Sequence, residues 1–254
     1  MNKLRIVLSI LLLTFSTAAV NAQAKKPVVK KPVATTKKTV PVKKTVKPVA
    51  KTVKPVKMIP GTRVKITTDS GVIVVRLYDK TPKHRDNFIK LANEHFFDSL
   101  LFHRVINGFM IQGGDPSSKN AAQGVPLGSG DVGYTIPAEF DTSLFHKKGA
   151  LAAARTNNPE KASSGCQFYL VQGKVYTDAD LNMLELQMGI KFSPAKRKLY
   201  KTIGGVPFLD TNYTVFGEVE SGLEVIDKIA SVPTNGQPYD RPLGDVRMYI
   251  EVIK

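Results

Sequence analysis

The feature that most constrains this 254-residue chain is a lysine-rich stretch that cannot contribute to a hydrophobic core. Residues 25–57 contain 12 lysines, five prolines and no acidic residue. Like charges repel one another and keep such a segment extended, while prolines interrupt helices and central strands. We therefore expect residues 23–57 to form a disordered Lys/Pro/Val-rich linker. The folded domain is expected within residues 58–254.

The formal net charge of +16 comes almost entirely from outside the expected domain. Removing the 12 linker lysines, Lys3 and Arg5 from the 37 basic residues leaves 23, against 21 acidic residues, in residues 58–254. This near-neutral balance argues against a basic globule that binds nucleic acid specifically. The linker itself has two open interpretations. It is either a solvated spacer or an electrostatic tether to an anionic surface such as lipid headgroups, acidic envelope polymer or nucleic acid.

The N-terminal residues 1–22 have the pattern of a secretory signal peptide. Lys3 and Arg5 precede an apolar run over residues 6–20, and the small residues around Ala22 are typical of a cleavage site. The alternative is an uncleaved anchor helix. However, the apolar run is shorter than the roughly 20 residues that span a bilayer. We expect cleavage after Ala22 and an exported protein, either periplasmic or secreted.

Cofactor and metal motifs are weak throughout the chain. The single cysteine, Cys166, excludes an internal disulfide and a zinc site of the CxxC type, and the four histidines are not paired at ligand spacing. Gly128, Gly130 and Gly133 match a GxGxxG pattern. The residues that follow, 134–137, are extended and end in proline, whereas a dinucleotide site needs a helix there. We therefore expect neither a cofactor nor a metal.

From residue 63 onward the pattern changes to short β-strands. Runs of β-branched and aromatic residues bounded by turn signals predict the strands. Thr81 followed by a proline predicts an N-cap and a helix over 82–97, and a second helix is predicted over 222–231. Many short strands with two helices suggest a closed β-barrel with helices at its ends. The predicted strands are 63–66, 72–77, 105–112, 151–155, 167–172, 214–219 and 246–253.

Residues 174–207 interrupt this rhythm of strands and predict a small helical insertion. Thr177 with Asp180 resembles a capping box, and Ser193 followed by proline predicts the start of a second short helix. The insertion is either a packed surface decoration or a wall that positions a substrate.

One segment carries more specific information than any other. It runs from Phe102 to Asp115 and reads FHRVINGFMIQGGD. With the ordered segments YTIPAEF, LAAAR, QFY and VFG further along, it resembles the cyclophilin family of peptidyl-prolyl isomerases over about 62–253, apart from the insertion. The resemblance implies a mainly β fold: a closed eight-stranded antiparallel barrel capped by two α-helices, with a substrate groove on its outer face.

Catalysis of prolyl isomerisation needs neither a nucleophile nor a metal. Rotation about an X-Pro bond is slow because the amide has partial double-bond character, with a barrier of about 18–20 kcal/mol. A catalyst needs an apolar slot for the proline ring, a fixed hydrogen-bond donor and a hold on the flanking carbonyls. The resemblance assigns the catalytic role to Arg104 and substrate binding to Phe109, Met110, Gln112, Ala154, Arg155, Gln167, Tyr169, Phe208, Leu209, Tyr213 and Phe216.

The chain departs from the family pattern at three of these positions. The family often has Trp where Phe208 stands, His where Tyr213 stands and Asn where Arg155 stands. All three positions belong to the rim of the implied groove, so catalysis should survive. Binding of the cyclic peptide inhibitor cyclosporin is placed in doubt, because a phenyl ring has no N–H donor.

The leading functional interpretation is a monomeric prolyl isomerase that assists the folding of exported proteins and acts on proline-containing polypeptides. From the residues alone, Phe109 and Met110 could be core residues and Arg104 a solvated or ion-paired side chain. The alternative function is a non-catalytic proline-peptide binding module or chaperone, tethered by its basic tail. The presence of Arg104, Phe109 and Gln112 together favours the enzyme.

Overall fold

The computed structural model describes residues 61–253. The predicted signal peptide (1–22) and the predicted linker (23–57) lie outside the described residues. The helices and strands, in chain order, are β1 (Arg63–Thr68), β2 (Gly71–Leu77), α1 (Pro82–Asn93), β3 (Leu100–Leu101), β4 (Arg104–Ile106), β5 (Met110–Gly113), β6 (Thr135–Ile136), β7 (Ala150–Ala153), β8 (Ser163–Ser164), β9 (Phe168–Val171), α2 (Asp178–Met188), α3 (Pro194–Thr202), β10 (Val215–Ser221), α4 (Leu223–Ala230) and β11 (Arg247–Ile253).

Nine of these strands form one antiparallel sheet in the order β3-β11-β1-β2-β10-β7-β9-β5-β4. Its two outermost strands, β3 and β4, are separated in the chain by only Phe102 and His103. The sheet therefore curls until its first and last strands are neighbours along the backbone. The fold is mainly β, as predicted.

The predicted closed barrel of eight strands is wrong in two respects. The sheet has nine strands, and no ladder joins β3 to β4. The physical reason lies in the backbone donors at this seam. The N–H of Phe102 donates to the carbonyl of Val246, and the N–H of Val105 donates to the carbonyl of Asp240. The segment that leads into β11 thus takes the hydrogen bonds that would otherwise close the ladder.

The single strand predicted over 105–112 is in fact a hairpin. The strands β4 and β5 pair with each other in antiparallel register. Between them, Gly108 adopts a positive φ of 75°, and the N–H of Phe109 donates to the carbonyl of Ile106. Asn-Gly is a turn signal in hairpins because both residues tolerate left-handed backbone conformations. The turn folds Arg104 back against Gln112.

The strands β4, β5, β9 and β7 are apolar on both faces. Successive side chains of a strand point to opposite sides of the sheet. One side carries Val105, Ile111, Leu151 and Leu170, which belong to the main core together with the apolar sides of α1 and α4. The other side carries a second buried cluster of Met110, Ala150, Ala152, Ala154, Tyr169, Val171, Val206 and Val215. This second cluster underlies the groove described below.

Residues 174–207 contain two helices, α2 and α3, as the sequence predicted. Thr177 and Asp180 form the expected capping box at the start of α2, and the side chain of Ser193 caps α3. A third apolar cluster of Tyr176, Leu181, Phe192 and Tyr200 holds the two helices together. The helical pair therefore has a small core of its own, separate from the sheet.

The N-terminus of α1 is capped from a distance. Thr81 occupies the predicted N-cap position, but its side chain makes no capping hydrogen bond. Instead, the carboxylate of Glu139 accepts hydrogen bonds from the backbone N–H groups of Lys83, at 3.1 Å, and His84, at 3.0 Å. It also lies 2.7 Å from Nδ1 of His84. Partial burial alone would raise the pKa of Glu139, but the hydrogen bonds from His84 and the backbone lower it.

We expect Glu139→Gln to lower the free energy of unfolding by about 1–2 kcal/mol, because an amide retains the volume but loses the charge that faces two orphan N–H donors. Urea unfolding followed by circular dichroism measures the change. Glu94→Gln is the matched control, since Glu94 is an exposed carboxylate at the other end of α1. A cost at Glu139 no greater than that at Glu94 would contradict the capping role.

Candidate active site

A groove lies on the outer face of the sheet, over the second apolar cluster. Its main cavity has a volume of about 390 Å³, and an adjoining cavity of about 500 Å³ extends it past Gln167. The main cavity is lined by His103, Arg104, Phe109, Met110, Gln112, Leu127, Gly128, Ser129, Ala154, Arg155, Tyr169, Leu209 and Tyr213.

The register of the sheet places the polar residues of the groove in one row. Arg104 on β4 lies opposite Gln112 on β5, and Gln112 lies opposite Tyr169 on β9. Tyr169 in turn lies opposite Ala152 on β7. Directly opposed residues of antiparallel strands project to the same face. Backbone pairing alone therefore brings Arg104, Gln112 and Tyr169 together.

A series of hydrogen bonds fixes the orientation of the side-chain amides of Gln112 and Gln167. Nη1 of Arg104 lies 3.4 Å from Oε1 of Gln112, and Nε2 of Gln112 donates to Oε1 of Gln167 at 3.0 Å. Nε2 of Gln167 then donates to the carbonyls of Gly128, at 3.0 Å, and Gly130, at 2.7 Å. Both amides are thus held in a single orientation. Gln112 and Gln167 therefore form a rigid wall of the adjoining cavity.

Arg104 is held only loosely. Its Nε lies 3.9 Å from Oδ2 of Asp240, and its side chain is 37% exposed. Among the contacts of residues 61–253, the long bond to Gln112 is the one hydrogen bond that its side chain makes. A guanidinium carries five N–H donors, so most of these remain available on the groove side.

The other arginine of the groove is held in place by backbone carbonyls. Nε of Arg155 donates to the carbonyl of Asn212 at 2.9 Å, and Nη1 donates to the carbonyl of Thr156 at 3.1 Å. Its guanidinium also lies 4.7 Å from the centre of the Tyr213 ring, in cation–π contact. Arg155 is therefore held against Tyr213 as one wall of the groove.

The apolar part of the groove is a shallow slot made of aromatic and aliphatic side chains. Tyr169 and Tyr213 meet edge to face with ring centres 6.0 Å apart. Leu209 ends a short 3-10 helix, Pro207–Leu209, and reaches the same cavity. Phe208, which is 44% exposed, lies at the rim with its ring 5.9 Å from that of Phe109. The slot suits a small apolar ring.

One predicted site residue lies elsewhere. Phe216 points into the main core, where its ring contacts those of Phe88, at 5.4 Å, and His84, at 5.9 Å. The preceding residue, Val215, occupies the groove side of β10. Strand alternation explains the correction, because neighbouring residues of one strand face opposite sides. The other predicted residues surround the groove or its extension.

His103 is buried at the edge of the groove without hydrogen-bond partners. The residue is 2% exposed. Neither ring nitrogen has a partner among the described residues. Burial lowers the pKa of His103 to about 4, although the nearby carboxylate of Asp115 acts in the opposite direction. The imidazole is therefore neutral at physiological pH.

Sequence reasoning missed the groove wall formed by residues 127–130. Gly128 adopts a positive φ of 105°, and a Cβ at Gly130 would lie 2.1 Å from Oδ1 of Asp115. The glycines therefore allow their carbonyls to approach Gln167 closely. The spacing of these glycines is the sequence signal for this wall, although its GxGxxG pattern is better known from dinucleotide sites.

Within residues 61–253, no group of three or more His, Cys, Asp or Glu side chains is placed to hold a metal ion. The same part of the chain contains no helix that is both long and apolar enough to span a membrane.

Comparison with known proteins decides the family. A family model described as "Cyclophilin type peptidyl-prolyl cis-trans isomerase/CLD" matches residues 63–250. The chain belongs to this family. This cyclophilin is 34% identical over 185 residues to a peptidyl-prolyl cis-trans isomerase of Staphylococcus haemolyticus, covering 72% of this chain and 87% of the relative. Homologues named in this way support an isomerase.

A second relative combines two activities in its name. It is a bifunctional phosphatase/peptidyl-prolyl cis-trans isomerase of Streptococcus pyogenes, 37% identical over 190 residues. The match covers 73% of this cyclophilin but only 37% of that relative. The chain therefore spans little more than a third of the length of the bifunctional protein.

Solved structures agree on the fold. A cyclophilin-type isomerase of Cryptosporidium parvum superimposes with a TM-score of 0.55 at 20% identity, covering 76% of this chain and 98% of that one. The same parasite isomerase, crystallised in the presence of the dipeptide Ala-Pro, gives a TM-score of 0.54 at 20% identity and covers 76% and 99% of the two chains.

The buried, neutral His103 predicts an acid-sensitive stability. Its folded-state pKa lies below the unfolded value of about 6.5, so its contribution is complete above pH 6.5 and is lost as the pH falls toward 4. We expect the free energy of unfolding of His103→Phe to fall less than that of the wild type between pH 6.5 and 4. The two decreases in the free energy of unfolding between pH 6.5 and 4 should differ by at most about 3 kcal/mol.

Urea unfolding at several pH values measures both slopes. His95→Asn is the control, since that imidazole is exposed and its backbone φ of 56° suits asparagine. Parallel pH profiles for the wild type and His103→Phe would show that His103 takes up its proton equally in both states.

Proposed function

We propose that Arg104 is the catalytic donor of this isomerase and that the apolar slot beside it holds the substrate proline. The supporting observation is a loosely held guanidinium, fixed in register with Gln112 and Tyr169 at the edge of the slot. As the X-Pro bond twists, the prolyl nitrogen loses its resonance with the carbonyl and its lone pair becomes an acceptor. An N–H of Arg104 placed there stabilises the twisted amide more than the planar one.

Gln112 has the second role in this mechanism. Its Nε2 already donates to Gln167, and its Oε1 faces Arg104. The amide group has two N–H donors, so one remains for a carbonyl of the substrate. Holding one side of the peptide while the other rotates turns the rotation into a guided motion. No covalent step is required, and no proton leaves the enzyme.

The substrates of this mechanism are proline-containing polypeptides. The slot formed by Phe109, Met110, Leu209 and Tyr213 is open at the surface, so a peptide can enter from the side. The presence of Ala-Pro with the Cryptosporidium relative supports this substrate class. The adjoining cavity beside Gln167 accommodates the residues that precede the proline.

We further propose that the isomerase is exported and assists the folding of exported proteins in the periplasm or outside the cell. Support comes from residues 1–22, which combine Lys3 and Arg5, an apolar run and a small-residue cleavage site. Prolyl isomerisation takes tens of seconds without a catalyst and can limit folding there as elsewhere. The mechanism consumes no ATP and is therefore suited to those compartments.

The basic linker is proposed to tether the enzyme to an anionic envelope surface. Residues 25–57 contain 12 lysines and no acidic residue. The folded domain is close to neutral, so attraction to such a surface must come from the linker.

Arg104→Ala tests the catalytic role. Loss of one preorganised donor should lower kcat by about 10²–10³, with a much smaller effect on peptide binding. Arg104→Lys should also be slow, since an ammonium lacks the planar fork. Arg63→Ala is the control, because Arg63 is a partly exposed arginine paired with Glu220 on the far part of the sheet. A wild-type rate for Arg104→Ala would show that Arg104 is not the catalytic donor, whereas absence of isomerisation by the wild type would favour a non-catalytic peptide-binding module.

The linker prediction is independent of catalysis. The chain 23–254 should bind vesicles containing anionic phosphatidylglycerol, and binding should weaken steeply as salt is raised, because exposed charges are screened over about 8 Å at physiological ionic strength. A chain starting at Met58 should not bind them. Co-sedimentation with anionic vesicles, and with neutral phosphatidylcholine vesicles as the control, measures both. Salt-independent binding, or binding that survives removal of residues 23–57, would contradict the tether.

A further inference from the structure

A buried carboxylate lies between the helical insertion and the groove. Asp210 follows Leu209 directly and is 2% exposed. Its Oδ1 accepts a hydrogen bond from the backbone N–H of His146 at 2.9 Å and lies 2.9 Å from Nδ1 of the same residue. Its Oδ2 accepts from the hydroxyl of Tyr200 at 2.8 Å and lies 3.5 Å from Nζ of Lys196. Tyr200 and Lys196 both belong to α3.

His146 connects Asp210 to the groove. Because Nδ1 of His146 faces a carboxylate, its proton lies on Nδ1, and Nε2 is left as an acceptor. Nε2 lies 3.0 Å from the hydroxyl of Tyr169. Burial raises the pKa of Tyr169 well above its usual value, so the phenol stays protonated and donates a hydrogen bond to Nε2 of His146. Tyr169 is the residue whose ring lines the slot.

The α3 end of this series of hydrogen bonds is rigid. Tyr200 is fully buried, and its ring packs against Phe145, Tyr176 and Phe192 with ring centres 5.5–6.3 Å apart. The hydroxyl of Tyr200 therefore has a fixed position beneath Asp210. The three hydrogen bonds Tyr200–Asp210, Asp210–His146 and His146–Tyr169 form a continuous connection, which we call the groove relay.

We propose that the groove relay makes the helical insertion a positioning element for substrate: α3 fixes Asp210, and Asp210 in turn fixes Tyr169 and Leu209 on two sides of the proline slot. Residues 174–207 line neither cavity, so the insertion is not itself a wall of the groove, and its proposed effect on substrate runs through Asp210. The proposal rests on proline peptides binding in this groove. It assigns no chemical step to the relay, since both hydroxyls remain protonated.

The relay has a kinetic signature that a purely structural role lacks. The slot grips the proline ring in the planar and the twisted amide alike, so loosening the slot weakens both states equally. KM should then rise while kcat is unchanged. A variant that merely destabilises the fold reduces the concentration of active enzyme, which lowers the apparent kcat and leaves KM unchanged.

Tyr169→Phe and Tyr200→Phe test the relay in the chain 23–254, because each removes one hydroxyl and preserves the ring. Each should raise KM for a proline tetrapeptide by about 2- to 12-fold, the range that one net hydrogen bond provides, with kcat within about twofold of wild type. The double variant should resemble the weaker-binding single variant, since both substitutions break the same chain. Tyr176→Phe is the matched control from the same aromatic cluster, and it should retain the wild-type KM.

A titration of the folded protein with the same peptide, followed by amide chemical shifts, gives Kd independently of the active fraction. Kd should rise in parallel with KM in both single variants. Wild-type Kd in both variants, a double variant whose effect is the product of the two single effects, or an equal effect of Tyr176→Phe would overturn the relay. Absence of peptide binding by the wild type would instead overturn the groove assignment on which the relay rests.

Discussion

The antiparallel register of β4, β5, β9 and β7 is the constraint on which both the core and the groove depend. A shift of one residue in any of these pairings would exchange the two faces of a strand. Ile111 and Leu170 would then leave the core, and Gln112 and Tyr169 would leave the groove. Because both faces bury apolar side chains, such a shift would disrupt both apolar clusters. The register that makes the fold stable is therefore the same register that assembles the site.

Two arginines of the groove show how the surroundings divide the available donors. Arg155 has two backbone carbonyls and an aromatic face as partners, so its position is fixed. Arg104 has a distant carboxylate and one long hydrogen bond. Pairing a guanidinium strongly in the free enzyme would stabilise the resting state as well as the twisted amide, and only the difference between them accelerates the reaction. A loosely paired Arg104 satisfies that requirement.

The sequence predicted what depends on local pattern and missed what depends on distant partners. Pro82 and the Thr177–Asp180 box determine helix starts through neighbours within one turn, and these predictions were confirmed. The cap of α1 comes from Glu139, far along the chain, and no local pattern indicates it.

The misplaced site residue and the two corrections to the fold have equally physical explanations. Phe216 was placed in the slot by family resemblance, whereas strand alternation decides its side. The Asn-Gly pair at 107–108 did signal a turn, but the apolar residues around it concealed the turn. The seam bonds of Phe102 and Val105 involve partners more than 130 residues away, which local sequence pattern does not reveal.

Three histidines are buried in this fold, and two of them are paired at both ring nitrogens. His84 and His146 each have a carboxylate at Nδ1 and a hydroxyl at Nε2, from Glu139 and Ser163 in one case and from Asp210 and Tyr169 in the other. The arrangement resembles that of a nucleophilic triad, but both hydroxyls are buried. One arrangement caps a helix, and the other connects α3 to the slot.

His103 has no such partners, although it is equally buried. An unpaired buried polar group costs about 1–3 kcal/mol and survives in native structures mainly where function is located. Here the cost falls on the residue next to Arg104. A carboxylate brought in to satisfy His103 would also attract that guanidinium away from the groove. The neutral imidazole of His103 therefore leaves Arg104 with the distant contact to Asp240, at 3.9 Å, as its ion pair among the described residues.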